Sequence, residues 1–189
     1  TWLGERRPIL GVDTETGGLD WWRDDLRLVQ VGDANQGFAI PYPIWGGLAK
    51  EVLESYEGFM VMHNAKFDLH FLETNGIRMD RSRVHDTMFM AHLDDNDSSI
   101  ALKNLSARYI DSRSNALQRQ LNDAMTKNKW KWSTIPTTYP LYWMYGALDP
   151  VLTARLWEFF EPRVSQWRES YDLEIAAMQV LLDAERRGV

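Results

Sequence analysis

The order of the apolar segments constrains the fold of this chain more than any other feature of the sequence. Three short apolar segments come first, joined by short links, and are followed by a helix, a strand, a helix, a short strand and then mainly helical segments. Short links favour antiparallel pairing, whereas a strand–helix–strand unit favours a parallel pair. The order therefore predicts an α/β fold in which helices flank a mixed five-stranded sheet.

The predicted strands are short apolar runs between turn residues, at residues 9–12, 26–31, 37–42 and 59–62, with a short fifth strand entering a helix over residues 84–90. The predicted helices carry apolar residues at helical spacing, at residues 44–56, 65–75, 100–110, about 139–160 and 169–185. Ser98 or Ser99 is the predicted N-cap of the third helix, and Pro162 is the predicted end of the fourth. Residues 126–139 are predicted to form a loop.

Composition restricts the chemistry available to the chain. Cysteine is absent, which excludes disulfides, thiolate zinc sites and cysteine nucleophiles. Any metal must therefore be held by Asp, Glu or His. Because the chain has four histidines and 27 acidic residues, a hard cation such as magnesium or manganese is favoured.

Two carboxylates follow the first apolar run. In a strand, residues i and i+2 point to the same side, so Asp13 and Glu15 are expected to lie together. Clustered carboxylates repel one another unless a cation lies between them. Taken alone, such a pair is more often solvated at a turn.

Two further segments of the sequence carry acidic residues that are candidates for the same site as Asp13 and Glu15. Asp68 follows the fourth strand, one turn into the next helix, where it could also serve only to interact with the helix dipole. Tyr145 and Asp149 are four residues apart in a predicted helix, so that both side chains lie on one face. Alone, this second pair would fit a core tyrosine and a surface aspartate.

Together, these motifs resemble those of the DEDDy 3′–5′ exonucleases. The order is Asp13-x-Glu15, then Asp68 within His-Asn-Ala-Lys-Phe-Asp, then Tyr145-x-x-x-Asp149, and residues 84–88 and 102–109 resemble the family's middle section. The resemblance covers about residues 8–162 and implies a ribonuclease H-like fold. The second strand looks equally like that of ribonuclease D and the Werner-type exonucleases. The segment from 175 to 189, by contrast, resembles the one that leads from the exonuclease domain into the polymerase in DNA polymerase I-type (family A) enzymes.

The resemblance implies a catalytic role for each motif residue. The metal ligands would be Asp13, Glu15, Asp68 and Asp149, holding two divalent cations, Mg²⁺ or Mn²⁺. Such ions activate water and stabilise the leaving oxygen of a phosphodiester. Tyr145 would orient the attacking water, because an ordinary tyrosine is a poor base at neutral pH.

The resemblance also implies nucleic-acid contacts. Leu19, after Gly17-Gly18, matches an apolar wedge against the terminal bases, and Thr16 and Asn64 match positions near the terminal nucleotide. From composition, Lys127, Lys129 and Lys131 alternate with other residues including two tryptophans. This pattern fits either a stacking platform with phosphate contacts or an exposed loop whose tryptophans pack onto the domain.

The predicted activity is removal of 5′-mononucleotides from the 3′ end of single-stranded or frayed DNA. Residues 1–162 would form the exonuclease domain, and residues 163–189 a helical segment leading toward a polymerase domain of the same chain. The alternatives are a free-standing ribonuclease D-like exoribonuclease and an inactive nucleic-acid-binding module; the four carboxylates argue against the latter. The expected location is the cytoplasm of a bacterial cell or phage-infected host. No membrane association is expected, because the longest uncharged run, residues 132–148, is short and polar.

Overall fold

A five-stranded mixed sheet forms the centre of the molecule in the computed structural model, which describes Trp2, Glu5 and residues 7–189. In chain order, the strands are β1 (Ile9–Thr16), β2 (Leu26–Gly32), β3 (Gly37–Pro41), β4 (Phe59–Met62) and β5 (Val84–Asp86). They lie in the order β3-β2-β1-β4-β5. The first three pair antiparallel, while β1–β4 and β4–β5 pair parallel. The predicted α/β fold with a mixed five-stranded sheet is confirmed.

Seven α-helices accompany the sheet in the described part of the chain. They are α1 (Tyr42–Ser55), α2 (Ala65–Thr74), α3 (Thr87–Asp94), α4 (Leu102–Tyr109), α5 (Ala116–Asn128), α6 (Pro140–Val164) and α7 (Arg168–Arg187). A 3-10 turn at Arg81–Arg83 precedes β5, and a second, Ser165–Trp167, separates α6 from α7.

Three local predictions were wrong. Helix α4 has Ala101 at its N-cap, and Ser99 Oγ accepts a hydrogen bond from Asn104 Nδ2 at 2.9 Å instead of capping the helix. Helix α5 continues through residues 126–128, which were predicted to be a loop. Helix α6 passes Pro162 and ends at Val164, because a proline in the last turn removes only one helical hydrogen bond.

Helix α6 lies directly on the sheet because two strand positions carry glycine. A β-carbon at Gly11 would collide with the carbonyl oxygen of Pro150, and one at Gly37 would collide with the carbonyl oxygen of Ala147. Any larger residue would therefore push the helix away from the strands. This close approach brings the part of the helix that carries Asp149 against β1.

The opposite face of the sheet carries the main apolar core. Alternate residues of β1, Leu10 and Val12, are buried there against α2, whose Leu69 and Phe71 are fully buried. Helix α7 packs into the same core through Met178 and Leu182. The two faces of β1 thus differ in kind: one packs apolar side chains, and the other faces α6 with Gly11 followed by acidic residues.

Candidate active site

Three carboxylates converge between β1 and α6. Asp13 and Glu15 share the strand face of Gly11, and Asp149 projects from α6 onto them. One oxygen from each of the three lies within 4.8 Å of the others. Glu15 and Asp149 are buried, and Asp13 is partly exposed. The geometry predicted for these residues from strand and helix spacing is therefore present.

Asp68 approaches from the other side of β1. It lies in the first turn of α2, it is 2% exposed, and its Oδ1 accepts a hydrogen bond of 2.6 Å from the hydroxyl of Thr14. Its charge nevertheless reaches the cluster and is the largest of the like charges acting on Asp13. We refer to Asp13, Glu15, Asp68 and Asp149 together as the carboxylate pocket.

The four carboxyl groups of the carboxylate pocket ionise less readily than ordinary carboxyl groups. Burial is the main cause and raises the pKa of each of the four carboxyl groups; for Asp68 the pKa rises to about 7, even though the Thr14 hydroxyl opposes the shift. The neighbouring carboxylates raise the pKa of Asp13 and Glu15 further. A cation between these carboxylates would offset the cost of ionising them out of water.

Tyr145 is fixed beside this cluster as a neutral phenol. Its hydroxyl interacts with the Asp149 carboxylate, and burial followed by the charges of Asp149 and Glu15 raises the pKa of the phenol far above its usual value. The ring is 8% exposed and packs against Trp132, with ring centroids 6.0 Å apart. Such a tyrosine can orient a water molecule but cannot serve as a base near neutral pH.

Lys103, which the sequence analysis did not assign to the site, lies inside it. Its ammonium is ion-paired with Asp149 Oδ1 and lies 4.6 Å from the centroid of the Tyr145 ring. Its positive charge lowers the pKa of Asp13, Glu15 and Asp149, opposing the effect of burial. Two signals in the sequence included it without singling it out: the resemblance of residues 102–109 to the family's middle section, and an excess of basic residues between 100 and 131 that contains six other cations.

Two buried polar residues hold the helices that carry these side chains. The carboxylate of Asp86 accepts hydrogen bonds from the backbone nitrogens of Asn64 at 3.0 Å and Ala65 at 2.7 Å, which fixes the start of α2 and hence Asp68. Nε2 of His63 lies 2.8 Å from the carbonyl oxygen of Ile100, just before α4 and Lys103. Burial lowers the pKa of His63 to about 4, so this histidine is neutral near pH 7.

Of the three residues expected near the terminal nucleotide, Thr16 is the last residue of β1, Leu19 lies on the segment that follows β1, and Asn64 lies on the segment that follows β4. Leu19 is 81% exposed, consistent with an apolar wedge. Thr16 is buried, and its hydroxyl donates to the carbonyl oxygen of Gly18 at 2.6 Å, so that the hydroxyl stabilises this turn. The side chain of Asn64 is exposed at the start of α2, where the backbone is left-handed with φ 69°.

The lysine-rich segment separates into exposed cations and packed aromatics. Lys127, Lys129 and Lys131 are exposed at the end of α5 and beyond it. Trp130 packs edge-on against Tyr139 with centroids 5.1 Å apart, and Trp132 lies between Tyr142 and Tyr145. Both tryptophans are partly buried and pack against a core cluster, as in the second of the two interpretations, whereas the three lysines are exposed.

The donor set fits divalent cations. Asp13, Glu15 and Asp149 supply only carboxylate oxygens, the ligands that hard cations prefer, and their oxygens are close enough to share one ion. Burial raises the pKa of all three carboxyl groups, because the nearby positive charge is too small to offset it. Raised pKa values of this kind are expected where a bound cation supplies the missing positive charge.

Fold and site together define the class, a ribonuclease H-like exonuclease. The chain belongs to the 3′–5′ exonuclease family of DNA polymerase A type, whose family model matches residues 4–165. It is 34% identical over 173 residues to the DNA polymerase of Mycobacterium phage L5, covering 82% of this chain and 29% of that protein. It is 30% identical over 157 residues to the DNA polymerase of Escherichia phage T5, covering 74% and 18%. The chain thus spans less than a third of these relatives, and the resemblance inferred from the motifs is confirmed.

Solved structures share the fold at lower sequence identity. A nuclease in its apo form is 19% identical, with a TM-score of 0.75, covering 98% of this chain and 88% of that one. Brucella melitensis NrnC with bound Mg²⁺ is 20% identical, with a TM-score of 0.62, covering 93% and 82%. Escherichia coli RNase D, described as an exoribonuclease involved in structured RNA processing, is 19% identical, with a TM-score of 0.65, covering 93% and 45%. Within the described residues, none of the helices has the length and apolar character needed to cross a bilayer.

Proposed function

We propose that this chain is the proofreading exonuclease of a family A DNA polymerase and removes 5′-mononucleotides from the 3′ end of single-stranded or frayed DNA. The observation that carries the proposal is the convergence of Asp13, Glu15 and Asp149 within 4.8 Å in a chain of this exonuclease family. The 34% identity to a phage DNA polymerase over most of the chain supports DNA as the substrate. The polymerase domain would follow the segment 163–189, and the enzyme would act in the cytoplasm of a bacterial cell or a phage-infected host.

The four carboxylates would hold two divalent cations, Mg²⁺ or Mn²⁺. Asp13 would contact both, Glu15 and Asp149 would complete the first, and Asp68, held by Thr14, would serve the second. When bound, such ions supply an activated water and stabilise charge on the leaving 3′-oxygen.

The chain's other residues would orient the reactants. The neutral hydroxyl of Tyr145 would position the water whose oxygen attacks the phosphorus, while the bond from phosphorus to the 3′-oxygen breaks and releases a 5′-mononucleotide. Leu19 would pack against the terminal base, with Thr16 and Asn64 near the terminal nucleotide. Lys127, Lys129 and Lys131 would contact backbone phosphates farther from the end.

The second candidate is a free-standing ribonuclease D-like exoribonuclease, favoured by the fold shared with RNase D at a TM-score of 0.65. The test is digestion of matched DNA and RNA oligonucleotides, labelled at the 5′ end, with magnesium or with excess EDTA. The proposal expects stepwise shortening of single-stranded DNA from the 3′ end, only with metal, and none by Asp149→Asn. A clear preference for RNA would favour the second candidate, and shortening in EDTA would contradict both.

A further inference from the structure

Lys103 is a cation placed where the carboxylate pocket most needs one. Its ammonium pairs with Asp149 and faces the Tyr145 ring, and its side chain is only 15% exposed. Asp149 is also one of the three carboxylates whose oxygens lie within 4.8 Å of one another. The ammonium therefore contacts an oxygen donor set that fits a divalent ion.

The attachment of Lys103 differs from that of the carboxylates. The carboxylates project from β1, α2 and α6, three elements that pack together in the cores. Lys103 is the second residue of the eight-residue helix α4 and reaches Asp149 through four flexible methylenes. An ammonium on such a stem can leave Asp149 with no change in the backbone, whereas the four carboxylates are held by the packing of these elements.

We propose that Lys103 is a stand-in cation: its ammonium offsets part of the negative charge of the carboxylate pocket in the metal-free protein and must leave Asp149 before a divalent ion can bind there. This inference rests on the metal site proposed above. It adds that the ammonium of Lys103 competes with the divalent ion for Asp149. Lys103 is then a positioning residue that keeps the carboxylates assembled without metal, at the expense of metal affinity. Two positive groups cannot share one carboxylate oxygen at contact distance without strong repulsion.

The first test removes the charge and measures metal binding rather than activity. Lys103→Met keeps an unbranched side chain, and Lys103→Arg keeps the charge. Lys50→Met is the charge-matched control, because Lys50 pairs with Glu54 on α1. By calorimetric titration with Mn²⁺ at fixed ionic strength, Lys103→Met is expected to bind about tenfold more tightly than the wild type, within the usual range of coupling between two sites. The Lys50→Met control is expected to match the wild type, and Lys103→Arg to bind no more tightly than it.

The metal-free variants supply an independent readout. Removing the stand-in cation leaves the buried carboxylates unpaired, so Lys103→Met should melt at a lower temperature than the wild type in EDTA and gain more from added Mn²⁺. Unchanged or weaker Mn²⁺ binding by Lys103→Met would overturn the inference while leaving the metal site intact. Absence of Mn²⁺ binding by the wild type and all variants would overturn the metal site, and the inference with it.

A second test uses the wild-type protein and needs no folded variant. Reductive methylation labels free lysine amines, and mass spectrometry of the peptides gives the rate at each lysine. Lys103 should be labelled slowly in EDTA, while it is paired with Asp149, and several-fold faster with Mn²⁺, while exposed Lys127 should not change. Equal labelling of Lys103 in both conditions would show that the ammonium does not move and would overturn the inference.

Discussion

Two groups of charged side chains in this molecule contain several carboxylates, and they are neutralised in opposite ways. In the carboxylate pocket, the cation that acts on Asp13 and Glu15 is Lys103, and the pKa of both carboxyl groups is nevertheless raised. The second group, which we call the helix-pair network, joins α2, the turn before β5 and α7. Its members are Lys66, His70, Glu73, Arg81, Asp183 and Glu185.

In the helix-pair network, each carboxylate has a cation in contact. Arg81 donates to both oxygens of Glu73, at 2.5 and 2.6 Å, and to Asp183 at 2.7 Å. Hydrogen bonds from Arg81 and Lys66 lower the pKa of Asp183 and Glu185, respectively. This chain thus pairs its carboxylates with cations where they hold helices together, and leaves them underneutralised where they form the carboxylate pocket.

The largest expected contrast between the two groups is in activity. Asp149→Asn should reduce the exonuclease rate by about 10³-fold or more, as loss of a catalytic group does. It should not lower the melting temperature of the metal-free protein, because it removes one of several repelling charges. Asp183→Asn, in the helix-pair network, is the matched control and should keep the rate and lower the melting temperature slightly. Steady-state digestion measures the exonuclease rate of the two variants, and thermal scans measure their melting temperatures. Equal exonuclease rates for Asp149→Asn and Asp183→Asn would show that the two groups of carboxylates do not differ in function.

Within the carboxylate pocket, a smaller effect is expected for the phenol. Tyr145→Phe keeps the ring that packs on Trp132 and removes only the hydroxyl, so the rate should fall about 10²-fold, as for loss of a positioning group. Single-turnover rates at saturating DNA measure this without interference from binding. A loss as large as that of Asp149→Asn would mean that Tyr145 does more than orient water.

Outside both groups, the exposed lysines should affect only binding. Replacing Lys127, Lys129 and Lys131 with alanine should raise KM for oligonucleotides several-fold and flatten its dependence on salt, because fewer counterions are released. The value of kcat should stay within about twofold, since exposed phosphate contacts do not act on the reacting atoms. Measuring KM at several salt concentrations is the check, and an unchanged salt slope would show that these lysines are only a solvated surface.

The smallest effect is on the pH dependence of stability. Asp68 has a pKa of about 7 in the folded chain and an ordinary value of 3.8, so the folded state binds this proton more tightly, and stability is lost as pH rises toward and past 7. Buried His63 acts in the opposite sense only below its ordinary pKa of 6.5. The metal-free protein should therefore melt at a lower temperature at about pH 8 than at pH 6.5, and Asp68→Asn should reduce this difference. The same slope in both proteins would exclude the Asp68 proton as its source.

The sequence predicted those features that local geometry sets. Asp13 and Glu15 share a strand face, and Tyr145 and Asp149 share a helix face, because their spacing matches the periods of strand and helix. Lys103 could not be predicted in the same way. It is 46 residues from Asp149, and their contact depends on how α4 docks on α6. The end of α6 was missed for a related reason: packing of Phe160 and Val164 outweighs the local effect of Pro162.

Dependence on tertiary packing also explains why the sequence left two interpretations of the lysine-rich segment open. Its alternating lysines and tryptophans fitted two interpretations, since composition does not say which side chains reach the core. The contacts of Trp132 with Tyr142 and Tyr145 depend on the path of the chain after α5, which is set by tertiary packing. Arg27 on β2 fixes that path by donating to the carbonyl oxygens of Ser133 and Ile135.

If the four carboxylates form one pocket that divalent cations complete, thermal scans of the double variant Asp13→Ala with Glu15→Ala will show it. In EDTA, the variant should be at least as stable as the wild type, because two repelling charges are gone. Added Mg²⁺ or Mn²⁺, at matched ionic strength, should raise the melting temperature of the wild type by several degrees and that of the variant far less. An identical response of both proteins to the metal would show that these carboxylates do not form one metal site and would contradict the account.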